Sequence, residues 1–214
     1  MSLVKEFMDL RPHGGFDLIM ADPPWSFDNY SAAGEGKNAK AHYRCQPDDW
    51  IKHVPVSVLA ADNCLLMLWA TNPMLPQALE VMVAWGFQFK TQAAWVKRTR
   101  NLNEAFGTGY LLRSAHEPLL LGTRGAPKTT RATRSVIVTR EGEAHYEPWP
   151  APLVTIEAQT AAHSVKPDAA YEAAEALMPD GRRIELFSRR TRRGWAAWGD
   201  EVGKLDPVTE SVDG

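Results

Sequence analysis

The stretch DLIMADPPWSF, residues 17–27, sets an acid, two prolines and a tryptophan directly after a short apolar run. Leu18, Ile19 and Met20 predict a buried strand over Phe16–Ala21. Asp22, Pro23, Pro24 and Trp25 then stand at a strand's carboxyl end, where open α/β sheets bind ligands. Asp22 and Pro23 each precede a proline and are held extended. Neither proline carries an N–H. The segment is therefore stiff and rich in acceptors, the Asp22 carboxylate and the Pro23 carbonyl. Two fixed acceptors suit an NH2 group, and the flat face of Trp25 suits a planar ring. Adenine and cytosine have both, and stacking a base on an aromatic side chain is worth about 1–3 kcal/mol. The amine of a nucleobase is a poor nucleophile, because its lone pair is delocalised into the ring. Holding both hydrogens toward acceptors favours the tetrahedral nitrogen that attacks, and the acceptors stabilise positive charge as the nitrogen takes a methyl group. The plainer alternative is a rigid turn with Trp25 in the core.

The elements that must position this segment alternate along the chain. Strands are predicted at Phe16–Ala21, Asn63–Ala70, Gln88–Val96, Glu117–Gly122, Val136–Thr139 and Arg183–Phe187. Helices are predicted at Pro47–Ala60, Pro73–Trp85 and Pro167–Met178, the last opened by proline with Asp168 in its first turn. Ser26–Gln46 and Lys97–Tyr110 have no apolar period and read as long functional loops. This alternation predicts an α/β sheet, partly parallel. No Walker-type loop and no Gly-x-Gly-x-x-Gly occurs, so a nicotinamide dinucleotide enzyme is not favoured.

The 214 residues predict one domain, with residues 1–15 as a lead-in and 203–214 as a flexible acidic tail. A net charge of −2 excludes a globally basic binder. It leaves room for local basic loops: Lys97, Arg98 and Arg100; Arg124, Lys128, Arg131 and Arg134; Arg189, Arg190, Arg192 and Arg193. No apolar run is long enough to cross a bilayer, and the N-terminus lacks a signal-peptide core. Cys45 and Cys64 have neither zinc-ligand nor disulfide-framework spacing, so no metal is expected and a reducing cytoplasm is.

Several segments together carry a resemblance: ADPPW, AHYRCQPDDW, CLLMLWATNP, AAWVKRTR, GTGYLLRSAHEPLLLGTRG, HSVKPDAAYEAAEALMPDGRRIELFSRR and GWAAWGDE. In order, over roughly residues 16 to 202, they resemble the adenine-N6 methyltransferases whose eukaryotic members methylate mRNA adenosines. Bacterial and phage members of that family are associated with DNA. The resemblance implies a Rossmann-like fold with permuted motif order, catalytic motif first, and S-adenosylmethionine as cofactor. It implies that Asp22 faces both the target amine and the cofactor, and that Lys166 pairs with the cofactor carboxylate. Glu185, Phe187, Ser188 and Arg189, with Asp200 and Glu201, are expected around the cofactor. Trp25, Tyr43, Lys97 and Glu117 are expected on the substrate side. Two departures stand out: Asp200 replaces the usual amide, and FSRR lacks the usual glycine. The expected partner is nucleic acid, DNA before RNA. A target base in a duplex must be flipped out. With no separate recognition domain, sequence specificity is modest or falls to a homodimer or partner subunit. Cytosine-N4 transfer and a catalytically silent scaffold subunit are the competing readings.

Overall fold

The computed structural model describes residues 2–26, 45–97, 106–107, 111–131, 133–138 and 166–206. Tyr43, Arg98, Arg100 and most of the two long loops lie outside these residues. Seven strands form one sheet: β1 (Phe16–Ala21), β2 (Ala60–Trp69), β3 (Gln88–Val96), β4 (His116–Arg124), β5 (Val136–Val138), β6 (Arg183–Leu186) and β7 (Trp195–Trp198). Their order is β5-β3-β4-β2-β1-β6-β7. β1 pairs in parallel with β2 and β6, β6 with β7, and β3 with β5; β4 runs antiparallel to β2 and β3. Only β4 among these strands is reversed.

Side-chain alternation along the strands builds two cores. Ile19 and Ala21 of β1, with Leu66, Leu68, Ile184 and Leu186, face α1 (Leu3–Leu10), α2 (Asp48–His53), α3 (Val56–Leu59) and α4 (Leu75–Ala84). Leu18 and Met20, with Leu65, Met67, Trp69 and Leu119, face α5 (Asp168–Leu177). The result is a three-layer, Rossmann-like α/β/α arrangement.

One local expectation is corrected, and the structure adds detail to two end segments. The helix predicted over Pro47–Ala60 is two, because Pro55 removes an N–H and holds Val54 extended at ψ 122°. The lead-in contains α1, whose Phe7 is fully buried and meets Trp198 edge-on at 4.9 Å. The tail is held as far as Asp206, whose carboxylate accepts from the Thr191 N–H and hydroxyl, both at 2.7 Å.

Candidate functional site

Strand direction gathers the site. The carboxyl ends of β1, β6 and β7 deliver Asp22, Phe187–Arg189 and Gly199–Glu201 to one sheet edge. Because β4 is reversed, its beginning lies there too: Trp69 pairs with Leu119, and Trp95 with Glu117. Lys97 follows the end of β3, and Lys166 stands just before α5.

A cleft of about 420 Å³ opens at this edge on the α1 side. Phe187, Trp50, Trp198, Leu3 and Val202 give it apolar walls; Glu6, Asp22, Ser188, Arg189, Asp200 and Glu201 give it polar groups. The turn after β6 is tight. Phe187 sits at φ 63°, the left-handed conformation usually left to glycine. Its ring is held against Trp198 at 5.4 Å and Trp50 at 6.3 Å, so packing sustains the backbone strain. Gly199 is needed for a close approach, since a Cβ there would sit 2.9 Å from the backbone N and O of Ser188. Arg189 Nε binds Glu201 Oε2 at 2.8 Å, closing one end of the cleft.

On the α5 side lies a charged cluster. Lys166 Nζ is 2.9 Å from Asp22 Oδ2 and 3.3 Å from Glu117 Oε2, and 5.4 Å from the centre of the Trp69 ring. Lys97 binds the other Glu117 oxygen and lies 4.8 Å from the centre of the Trp95 ring. Burial pushes the Asp22 carboxyl above its ordinary value, and Lys166 only partly opposes this. Burial pushes Glu117 up as well, but Lys166 and Lys97 outweigh it and hold that carboxyl at about 2. Among the described residues, Asp22 belongs to both compartments: it lines the cleft and binds the cluster's ammonium.

Some expected positions move. Trp25 presents no open face: it is 2% exposed, packs in the core, and donates its indole N–H to the Trp69 carbonyl at 3.0 Å. It braces the Asp-Pro-Pro turn against β2. The Pro23 carbonyl accepts from the Trp25 N–H at 2.8 Å and the Pro24 carbonyl from the Gln46 N–H at 2.9 Å, which fixes the turn and leaves each oxygen a second lone pair. Lys166 is outside the cleft lining, held by two carboxylates instead. Glu185 lies beneath the cleft, accepting from the Tyr171 hydroxyl at 2.5 Å and the Ser188 hydroxyl at 2.7 Å. Burial raises its carboxyl, and those two hydrogen bonds only partly offset the effect.

The basic rim is smaller than expected. Arg190 and Arg192 both donate to Asp168, and Arg189 is ion-paired with Glu201. Arg124 stands at the far end of reversed β4, paired with Cys64 of β2, away from Asp22. Residues missed by sequence reasoning are Leu3, Glu6, Gln46, Trp50 and Trp198. Trp198 Nε1 donates to Glu6 Oε1 at 2.8 Å, tying α1 to the cleft. The amphipathic run Leu3–Leu10 after the Ser2 cap was the available signal for α1.

Comparison with known proteins identifies the family of the chain. The chain is 31% identical over 196 residues to the N(6)-adenine-specific methyltransferase METTL4 of Homo sapiens, covering 90% of this chain and 39% of that protein. It is 26% identical over 215 residues to the type II methyltransferase M.MunI of Mycoplasma sp, covering 93% and 83%. It is 26% identical over 208 residues to the human N(6)-adenosine-methyltransferase catalytic subunit METTL3, covering 94% and 31%. The chain thus spans about two fifths of METTL4 and most of M.MunI. The MT-A70 family profile matches residues 16–201, from the first residue of β1 through Glu201 of the cleft, and the chain belongs to that family.

Proposed function

We propose that this chain moves a methyl group from S-adenosylmethionine to N6 of adenine in DNA. The observation that carries this is the placing of Asp22 at the junction of the cleft and the charged cluster. The cleft fits the cofactor. Trp50, Phe187 and Trp198 suit a flat purine; Glu6, Asp200 and Glu201 suit ribose hydroxyls; Asp22 suits an ammonium. When bound, S-adenosylmethionine supplies an electrophilic methyl group.

The chain's own residues do the rest. Asp22 accepts a hydrogen bond from the N6 amine, orients its lone pair and stabilises the positive charge that builds on nitrogen. Its raised proton affinity suits it to take the proton that N6 must lose. Lys166 fixes Asp22 and Glu117 relative to each other. Lys97 and Glu117, with Tyr43, form the proposed base side. Trp25 acts as a brace rather than a stacking surface. The choice of DNA is supported by the likeness to a type II methyltransferase, 26% identical over 93% of this chain, and to the adenine-specific METTL4, 31% identical over 90% of it.

The test is transfer from S-adenosylmethionine with a deuterated methyl group to unmethylated DNA and RNA, single- and double-stranded, read by mass spectrometry of released nucleosides. Labelled N6-methyladenine from DNA, absent with Asp22→Ala, is expected. Label only in RNA or on cytosine overturns the substrate. No label anywhere, with cofactor bound, points to a missing partner or another substrate; no label and no cofactor binding overturns the enzyme reading in favour of a silent subunit.

A further inference from the structure

A second feature at the catalytic edge has no role in the scheme above. Phe106, Leu111 and Leu112 are 75%, 97% and 85% exposed. They belong to two short arms, residues 106–107 and 111–115, that run side by side. The Gly107 N–H donates to the Ser114 carbonyl at 2.9 Å, and a Cβ at Gly107 would meet that oxygen at 2.7 Å. The Arg113 guanidinium covers the Phe106 ring at 4.5 Å.

The root of this projection is fixed to the site. Asn72, just beyond β2, donates to the Ser114 hydroxyl at 3.3 Å and to the His116 carbonyl at 3.5 Å. The Lys97 N–H donates to the Ala115 carbonyl at 2.8 Å. Glu117 follows two residues after Ala115. Leu112 is five residues from Glu117, so it can reach at most about 17 Å from it. With Phe106 the two leucines make a group of exposed apolar side chains, the kind of surface that marks a binding site. Three large apolar side chains are few beside the 20–30 residues a side of a stable protein interface, roughly. Among the described residues of the projection there is no acid, and Arg113 supplies a cation. Apolar wedges with a neighbouring arginine suit a stack of bases flanked by phosphates.

Resting on the methyltransferase reading, we propose that Leu111 and Leu112 enter the base stack of a duplex beside the target adenine, filling the space it leaves when extruded, with Arg113 on the adjoining phosphate. The side chains stabilise the open duplex; the adenine reaches Asp22 and Glu117. A single strand, or a duplex already open at the target, has no need of them.

The experiment compares wild type with the double variant Leu111→Ser, Leu112→Ser. Three oligonucleotide substrates are used: a matched duplex, the same duplex with an abasic site opposite the adenine, and a single strand. The expected result is a loss in kcat/KM of about tenfold or more on the matched duplex and less than about threefold on the other two. With 2-aminopurine at the target position, the wild type plus S-adenosylhomocysteine brightens the duplex and the double variant does not. Leu112→Phe with Leu111 intact retains both properties. Equal loss on all three substrates, or no loss on any, overturns the proposal. So does a fall in molecular mass of the variant by light scattering, which assigns the leucines to a contact between protein copies. A wild type that methylates none of the three, yet binds cofactor, overturns the underlying activity and this proposal with it; a wild type active on all three with equal losses in the variant overturns this proposal alone.

Discussion

Asp22 and Glu117 share one ammonium and are pushed in opposite directions, which separates catalysis from stability. The Glu117 carboxyl is held at about 2, below its ordinary 4.5. Its ionised form therefore contributes stability that is complete above about pH 4.5 and is lost as the pH falls toward 2. The size is on the order of 3 kcal/mol. Asp22 is raised, so its contribution is present below its unfolded value and is lost as the pH rises through the folded one. Where Asp22 is ionised, the fold therefore carries that anion at a cost. Asp22→Asn is expected to keep or raise the melting temperature while lowering methyl transfer by about 100- to 1,000-fold. Glu117→Gln is expected to lower the urea midpoint at pH 7, with the difference shrinking by about pH 3. Urea titrations of both variants at pH 3 and pH 7 check the two signs together. An Asp22→Asn protein as unstable as Glu117→Gln would contradict this account.

At the scale of elements, α1 is what completes the cleft. It docks through Phe7 in the core and through Glu6 accepting from Trp198. Phe7→Ala is expected to lower stability by about 3–5 kcal/mol and to weaken S-adenosylhomocysteine binding by about tenfold, through loss of the Leu3 and Glu6 wall. Denaturation and calorimetry measure the two effects. Cofactor affinity unchanged in a destabilised variant would remove α1 from the site. This helix also marks the limit of the sequence reading. Long periodic segments such as β3 and α5 were legible within a residue, because apolar spacing and a helix-opening proline act locally. The fate of Trp25 was not legible: a tryptophan after two prolines serves as core brace or as stacking face depending on which strand lies beside it. The pairing of three arginines was equally hidden, since Asp168 and Glu201 reach them only through the fold. Lys166 between two carboxylates follows from β4 running backward, which alternation alone does not reveal.

Among the described residues, three arginines that follow β6 are balanced by carboxylates rather than displayed. The net charge is −2, and Arg189, Arg190 and Arg192 are each tied to an internal carboxylate. Among the described residues no helix is long and apolar enough to cross a membrane. Nucleic acid is therefore expected to bind with few phosphate contacts. The slope of log K against log salt should lie between about −2 and −4. Fluorescence anisotropy with a labelled oligonucleotide over a range of salt measures it. A slope steeper than about −6 would mean that the arginines leave their carboxylates on binding.

The placing of β1 has one more consequence. This central strand pairs with β2, some 45 residues on, and with β6, which begins at Arg183. The turn that carries Asp22 leans on that second partner, since the Asp22 N–H donates to the Leu186 carbonyl at 3.3 Å. During synthesis β1 leaves the ribosome well over a hundred residues before β6, its neighbour of highest sequence separation. Closing so distant a parallel pair is slow, and the apolar edge of β1 waits uncovered until then. The arrangement ties completion of the turn that carries Asp22 to the emergence of β6, so a nascent chain stalled before β6 has its acid and prolines in hand but lacks the backbone partner that sets them.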